Sequence, residues 1–133
     1  MSLRRLRVAV ATPDAALTAR VAEAVARAGH DVALTTDSPF EAMEAAFSRS
    51  VDVLVLDQEL QRLAGSELAA VVRAVGASVT VVVLHRGELA SADDLLVLDP
   101  TRPGFEGALM NVLERLMVEP GGASRRRDGR RAG

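Results

Sequence analysis

The chain has 133 residues, 49% of them hydrophobic, enough for one core and one domain. It has no Cys, which excludes disulfides, thiol catalysis and Cys-ligated zinc, and its two His lack the supporting cluster of a metal site. The net charge of -2 conceals a split: residues 1–118 hold 11 Arg against 16 acids, residues 119–133 hold 5 Arg against 2, and every basic residue is Arg.

Taken in chain order, Leu6 to Ala11 is a short apolar run and the first expected strand. Thr12-Pro13-Asp14 breaks it, and Asp14 is placed to cap a helix whose Leu17, Val21, Val25 and Ala28 share one face. Gly29 suits the left-handed position after that helix. Asp31 to Thr36 is the second strand. Ser38-Pro39-Phe40-Glu41 carries three helix-start signals: a Ser cap, Pro in the first turn, and Glu to complete a capping box. Phe40, Met43, Ala46 and Phe47 are the expected buried face of this second helix.

Val51 to Leu56 is the third strand, and its central Val53–Leu56 run shows no period-2 alternation, the mark of a strand buried on both faces. Gly65-Ser66 opens a third helix with Leu68, Val71, Val72 and Val75 inward, and Gly76 ends it. Val79 to Leu84 is the strongest β signal. From His85 to Asp94 there is room for one or two helical turns, then Leu95 to Leu98 forms a fifth strand. After the Asp99–Gly104 loop, Phe105, Leu109, Val112, Leu113 and Leu116 line a last helix. Met110 and Met117 widen its apolar stripe to about 160°. Residues 119–133 are Gly/Arg-rich, lack a core pattern, and are expected to be a disordered tail or a linker to a further domain.

Five β–α repeats with right-handed crossovers predict an α/β fold: a doubly wound, five-stranded parallel sheet of order 2-1-3-4-5, spanning residues 1–118. Ligands of such sheets sit at the carboxyl edge, where strand order reverses. Thr12, Pro13 and Asp57 fall at that point.

With these residues in place, the chain over about residues 5 to 118 resembles a response-regulator receiver domain, the CheY-like and flavodoxin-like arrangement. The resemblance rests on element order, the "RAGHDV" turn at Arg27–Val32, "DVLVLD" ending at Asp57, Gly65 eight residues later, and "DDLLVLDP" before the last helix. It implies that Asp57 stands at the phosphoacceptor position. Receivers offset the charge of that reaction with Mg²⁺ on an acid pair after strand one, a hydroxyl after strand four and a Lys after strand five. Here the acid pair falls on Thr12 and Pro13, the hydroxyl on His85, the Lys on Asp99 and the strand-five aromatic on Leu96. The His85–Asp99 connection is about two helical turns shorter than the family's, so the fourth helix is expected to be shortened. Asp99–Pro100 falls at a position that is often a cis peptide in the family.

The resemblance therefore implies an atypical receiver, or pseudo-receiver, that acts as a protein-interaction module in two-component phosphorelay signalling, without Mg²⁺-dependent phosphorylation. Thr12, Pro13, Asp14, Glu59, His85 and Asp99 are its pocket residues. Two other readings stand beside it. In one, Asp57 is a working phosphoacceptor that requires Mg²⁺; in the other, a Rossmann-like domain binds a small ligand or anion near His85, Arg86 or Arg102. No nucleophile–base pair and no Gly-rich phosphate loop is present, so no catalytic residue, resident metal or cofactor is expected. The expected partner is a protein, with a second copy among the candidates, meeting the last-helix flank at Met110, Leu113 and Met117. Nucleic acid is not the expected partner, because the Arg-rich tail lacks aromatics and a DNA-reading fold. No apolar run nears the ~18 residues of a membrane span and no secretory segment opens the chain, so a cytoplasmic location without a membrane partner is expected, and the resemblance implies a bacterial protein.

Overall fold

A computed structural model describes residues 5–87 and 95–118. Five strands, β1 (Arg7–Ala11), β2 (Asp31–Thr36), β3 (Val53–Asp57), β4 (Thr80–Leu84) and β5 (Leu96–Leu98), alternate with α1 (Ala15–Arg27), α2 (Pro39–Phe47), α3 (Gly65–Val75) and, after β5, α4 (Phe105–Val118). The strands form one parallel sheet in the expected order β2-β1-β3-β4-β5. The shortened helix expected between β4 and β5 falls largely on residues 88–94, and the tail on residues 119–133; both lie outside the described residues.

The alternation of β1 sorts the helices into two layers. Val8 and Val10 face the side where Val53, Val55, Val82 and Leu84 meet Leu17, Val21 and Val25 of α1 and Phe105, Leu109 and Leu113 of α4. Ala9 and Ala11 face the other side, with Leu54 and Leu56 against Ala42, Ala45 and Ala46 of α2 and Leu68 and Val72 of α3. Every β3 residue is buried, as its unbroken apolar run requires.

Caps hold the helix starts. The Asp14 carboxylate accepts from the backbone N–H groups of Ala16 and Leu17, and the Ser38 hydroxyl accepts from those of Phe40 and Glu41. The expected capping box at α2 is only half made. Glu41 does not turn back to Ser38. It accepts instead from the Thr36 hydroxyl at 2.5 Å, and that hydroxyl accepts from the Ser38 N–H at 3.0 Å.

The buried face of α2 also differs from expectation. Pro39, Ala42, Ala45 and Ala46 face inward, while Phe40 and Phe47 are 51% and 41% exposed. The reason is volume: Ala9 and Ala11 on the sheet and alanines on the helix bring α2 close, and no phenyl ring fits between. Val71 and Val75 of α3, expected inward, are likewise exposed. Leu113, expected at a partner-facing flank, is fully buried against the sheet, because it lies one turn after Leu109 on the core side of α4. Met110 and Met117 are partly buried against the same core. The Asp99–Pro100 peptide is trans, not cis.

Candidate functional site

The register brings the predicted residues to one edge. Ala11 pairs with Leu56, Asp57 with Leu84, and Leu84 with Leu98, so Thr12, Asp57, His85 and Asp99 all stand at the carboxyl ends of neighbouring strands. Asp57 is the centre, only 2% exposed. Its backbone is fixed by the Gln58 N–H donating to Leu84 and the Leu60 N–H donating to the Asp57 carbonyl. Gly65 presses on the same carbonyl: a Cβ there would lie 2.8 Å from the Asp57 oxygen. Only glycine allows α3 to start so close to the strand end.

Both carboxylate oxygens of Asp57 are engaged within the chain. Oδ2 accepts from the Thr12 hydroxyl at 2.6 Å, and Oδ1 accepts from the Glu59 backbone N–H at 2.8 Å. Thr12 is itself buried, and its hydroxyl accepts from the Asp14 N–H at 3.1 Å. A relay of two hydrogen bonds thus joins the start of α1 to Asp57. Glu59 contributes its main chain; its side chain is exposed. Pro13 is exposed and lines a separate cleft of about 280 Å³ with Phe40, Gln61 and Arg62.

Asp14, Arg86 and Asp99 ring the mouth. One oxygen of Asp14 caps α1 and the other lies 3.5 Å from the Arg86 guanidinium. Asp99 accepts from the Thr101 hydroxyl at 2.6 Å and from the N–H groups of Thr101 and Gly87 at 2.8 and 2.9 Å. The Thr101 hydroxyl, then these amides, hold its carboxyl well below the usual range, at about 2. Arg102 lies 3.7 Å from Asp99 and stays largely exposed. His85 continues the sheet through its N–H to Leu98, while its ring Nδ1 is buried without a hydrogen-bond partner among the described residues.

These residues do not fit Mg²⁺, the ion that receivers use. Mg²⁺ needs oxygen ligands, usually including carboxylates. Pro13 offers none in its side chain, the Thr12 hydroxyl directs its proton at Asp57, and Asp14 is turned to α1 and Arg86. Among the described residues no group of three His, Asp or Glu side chains is placed to hold a metal.

Two contacts escaped the sequence. Gln58 and Ser66 are joined twice, with Gln58 Oε1 accepting from the Ser66 N–H at 2.7 Å and Gln58 Nε2 donating to the Ser66 hydroxyl at 2.9 Å. Gln58 thereby caps α3, whose N-cap Ala64 has no acceptor of its own. Arg20 pairs with Glu106 at 2.8 Å, donates to the Pro100 carbonyl at 3.0 Å and lies 5.1 Å from the centre of the Phe105 ring. It clamps α1 to α4 and to the loop after Asp99. Glu106 is held below its ordinary value chiefly by the hydrogen bond from Arg20.

A scan against protein-family models finds no match, and neither does a search of curated protein sequences. Solved structures do match in shape. A LuxR-family two-component response regulator from Aurantimonas sp. aligns at TM-score 0.72 and 13% identity, over 86% of each chain. The receiver domain of a sensor histidine kinase from Pseudomonas aeruginosa, with magnesium coordinated in its active-site cleft, aligns at TM-score 0.71 and 15% identity, over 87% of this chain and 100% of that one. A LuxR-family DNA-binding response regulator from Staphylococcus aureus aligns at TM-score 0.70 and 16% identity, over 82% and 97%. With the strand order and the four helices in agreement, the chain has the fold of a response-regulator receiver domain.

Proposed function

We propose that this chain is an atypical receiver module that works in two-component phosphorelay signalling by binding a protein partner, without Mg²⁺-dependent phosphorylation of Asp57 and without a catalytic role. The observation that carries the proposal is that Asp57 is buried with each carboxylate oxygen already accepting a hydrogen bond from within the chain. Both donors are neutral, so neither offsets the negative charge that gathers when a carboxylate attacks phosphorus. The cations near the mouth already face acids: Arg86 faces Asp14, and Arg102 faces Asp99. The Thr12 contact instead ties Asp57 to the start of α1, which suits a fixed binding surface better than a switch. The partner-facing flank in this reading is β4, β5 and the last helix, where Leu96 is 37% exposed and Met110 and Met117 remain partly accessible.

The test is NMR of backbone amides with millimolar Mg²⁺ and a beryllofluoride phosphoryl mimic. The expected result is no change around Thr12, Asp57 and His85. Shifts there that vanish in Asp57→Ala would overturn the reading and make Asp57 a working phosphoacceptor.

A further inference from the structure

The two exposed phenylalanines of α2 belong to one surface. At about 100° per residue, Phe40 and Phe47 lie together on one flank of α2, and Met43 sits between that flank and the buried Ala46. The opposite flank is accounted for: Glu41, Glu44, Ala45 and Ser48 border a groove with Ala33 and Leu34 of the edge strand β2. Phe40, by contrast, borders a cleft with Gln61 and Arg62, which lead into α3. The phenylalanine flank is therefore turned toward α3. On α3, which packs beside α2, Val71 and Val75 lie one turn apart. Right-handed crossovers turn their flank back toward α2. They are 36% and 64% exposed. Ala74 lies between them and is also exposed.

The result is an apolar patch across the outer α2–α3 groove, bordered by Arg62 beside Phe40 and by exposed Glu67 one turn before Val71. From the exposures of Phe40, Phe47, Val71 and Val75, the patch presents on the order of 350 Å² of apolar surface. A stable two-chain interface buries about 800 Å² per partner, somewhat over half of it apolar. The patch supplies most of that apolar share from one side. A two-fold interface requires a surface complementary to itself, and the apolar side chains Phe40, Phe47, Val71 and Val75 suit such pairing.

We infer that this chain pairs with a second copy of itself through the α2–α3 face, burying Phe40, Phe47 and Val75 between the protomers. This face is distinct from the β5 and last-helix flank, so pairing leaves the proposed partner surface free. The inference does not depend on how Asp57 is used.

The experiment is sedimentation equilibrium on the full chain at about 5 to 200 µM, with Phe40→Ser/Phe47→Ser and Met117→Glu as variants. The parent is expected to sediment at twice its 14.0 kDa mass at the upper concentrations. The double Ser variant is expected to dissociate at least about tenfold more readily, and Met117→Glu to match the parent. Circular dichroism and thermal melts establish that both variants are folded; the α2 substitutions are at exposed positions, and Val75→Ser serves as an alternative if they are not. A parent that stays at monomer mass throughout would overturn the inference. So would a dimer that survives the Ser substitutions, or one that dissociates only in Met117→Glu.

Discussion

Replacing Thr12 by Val tests whether the short bond to Asp57 restrains the acid. Val matches Thr in shape and removes only the hydroxyl, so little cavity arises. What is lost is a charge-assisted donor at 2.6 Å to an oxygen of a carboxylate that is only 2% exposed, and an acceptor for the Asp14 N–H. Hydrogen bonds to charged groups contribute about 1.5–3 kcal/mol, and the abandoned oxygen has little access to water. Thr12→Val is therefore expected to cost about 2–3 kcal/mol in urea unfolding. In a domain of this size that corresponds to a fall in Tm of about 10 °C. Repeating the substitution in Asp57→Asn, where the acceptor is neutral, is expected to reduce the cost by about 1 kcal/mol or more. A loss below about 0.5 kcal/mol, or an equal loss in both backgrounds, would show that the contact does not hold Asp57 and would remove the basis for a locked pocket.

Gly65→Ala is expected to cost about 2 kcal/mol and to move the Asp57 amide resonance, because the new methyl meets backbone atoms that have no room to yield. Gly107→Ala, in open space on α4, is expected to stabilise by about 0.5–1 kcal/mol; an equal effect at both positions would refute the close-approach argument. Burial, with help from Arg5, lowers the pKa of His30, whose Nδ1 accepts from the Leu6 N–H. The unfolded chain therefore binds the proton more readily. Stability should be full above the ordinary value of 6.5 and fall as pH drops toward the lowered value, a slope that urea titrations would lose in His30→Gln. Arg20→Met is expected to destabilise modestly, mostly through the lost coupling to Glu106; a double-mutant cycle with Glu106→Gln measures the coupling, and a coupling near zero would dismiss the clamp.

The sheet was readable because its signals are local and concordant. β3 is apolar without a break, Asp14 and Ser38 each stand one residue before a helix, and Gly65 falls where only glycine fits. The site was readable to the extent that strand ends are readable: Thr12, Asp57, His85 and Asp99 converge because four parallel strands stop together. What stayed hidden depends on contacts distant in sequence or on volume. Arg20 meets Glu106 across 86 positions, and nothing near either residue announces it. Phe40 and Phe47 look like core because they are large, yet the space under α2 is fixed by Ala9 and Ala11 on a different element. Glu41 completes a capping-box pattern, yet Thr36 offers it a nearer donor.

The unequal residues of β1 have a further consequence. A strand one residue out of register would turn Val8 and Val10 toward the alanines of α2, where there is no space, and leave Ala9 and Ala11 opposite α1, where voids would open. Four residues thus tell the folding chain which helix belongs on which side. The code is also fragile: Ala9→Val would keep the strand's propensity while blurring the distinction between its faces. Variation among proteins of this lineage should accordingly be looser on the Val side of β1, which tolerates Ile or Leu with repacking, than on the Ala side, where any added carbon must lift α2 from the sheet.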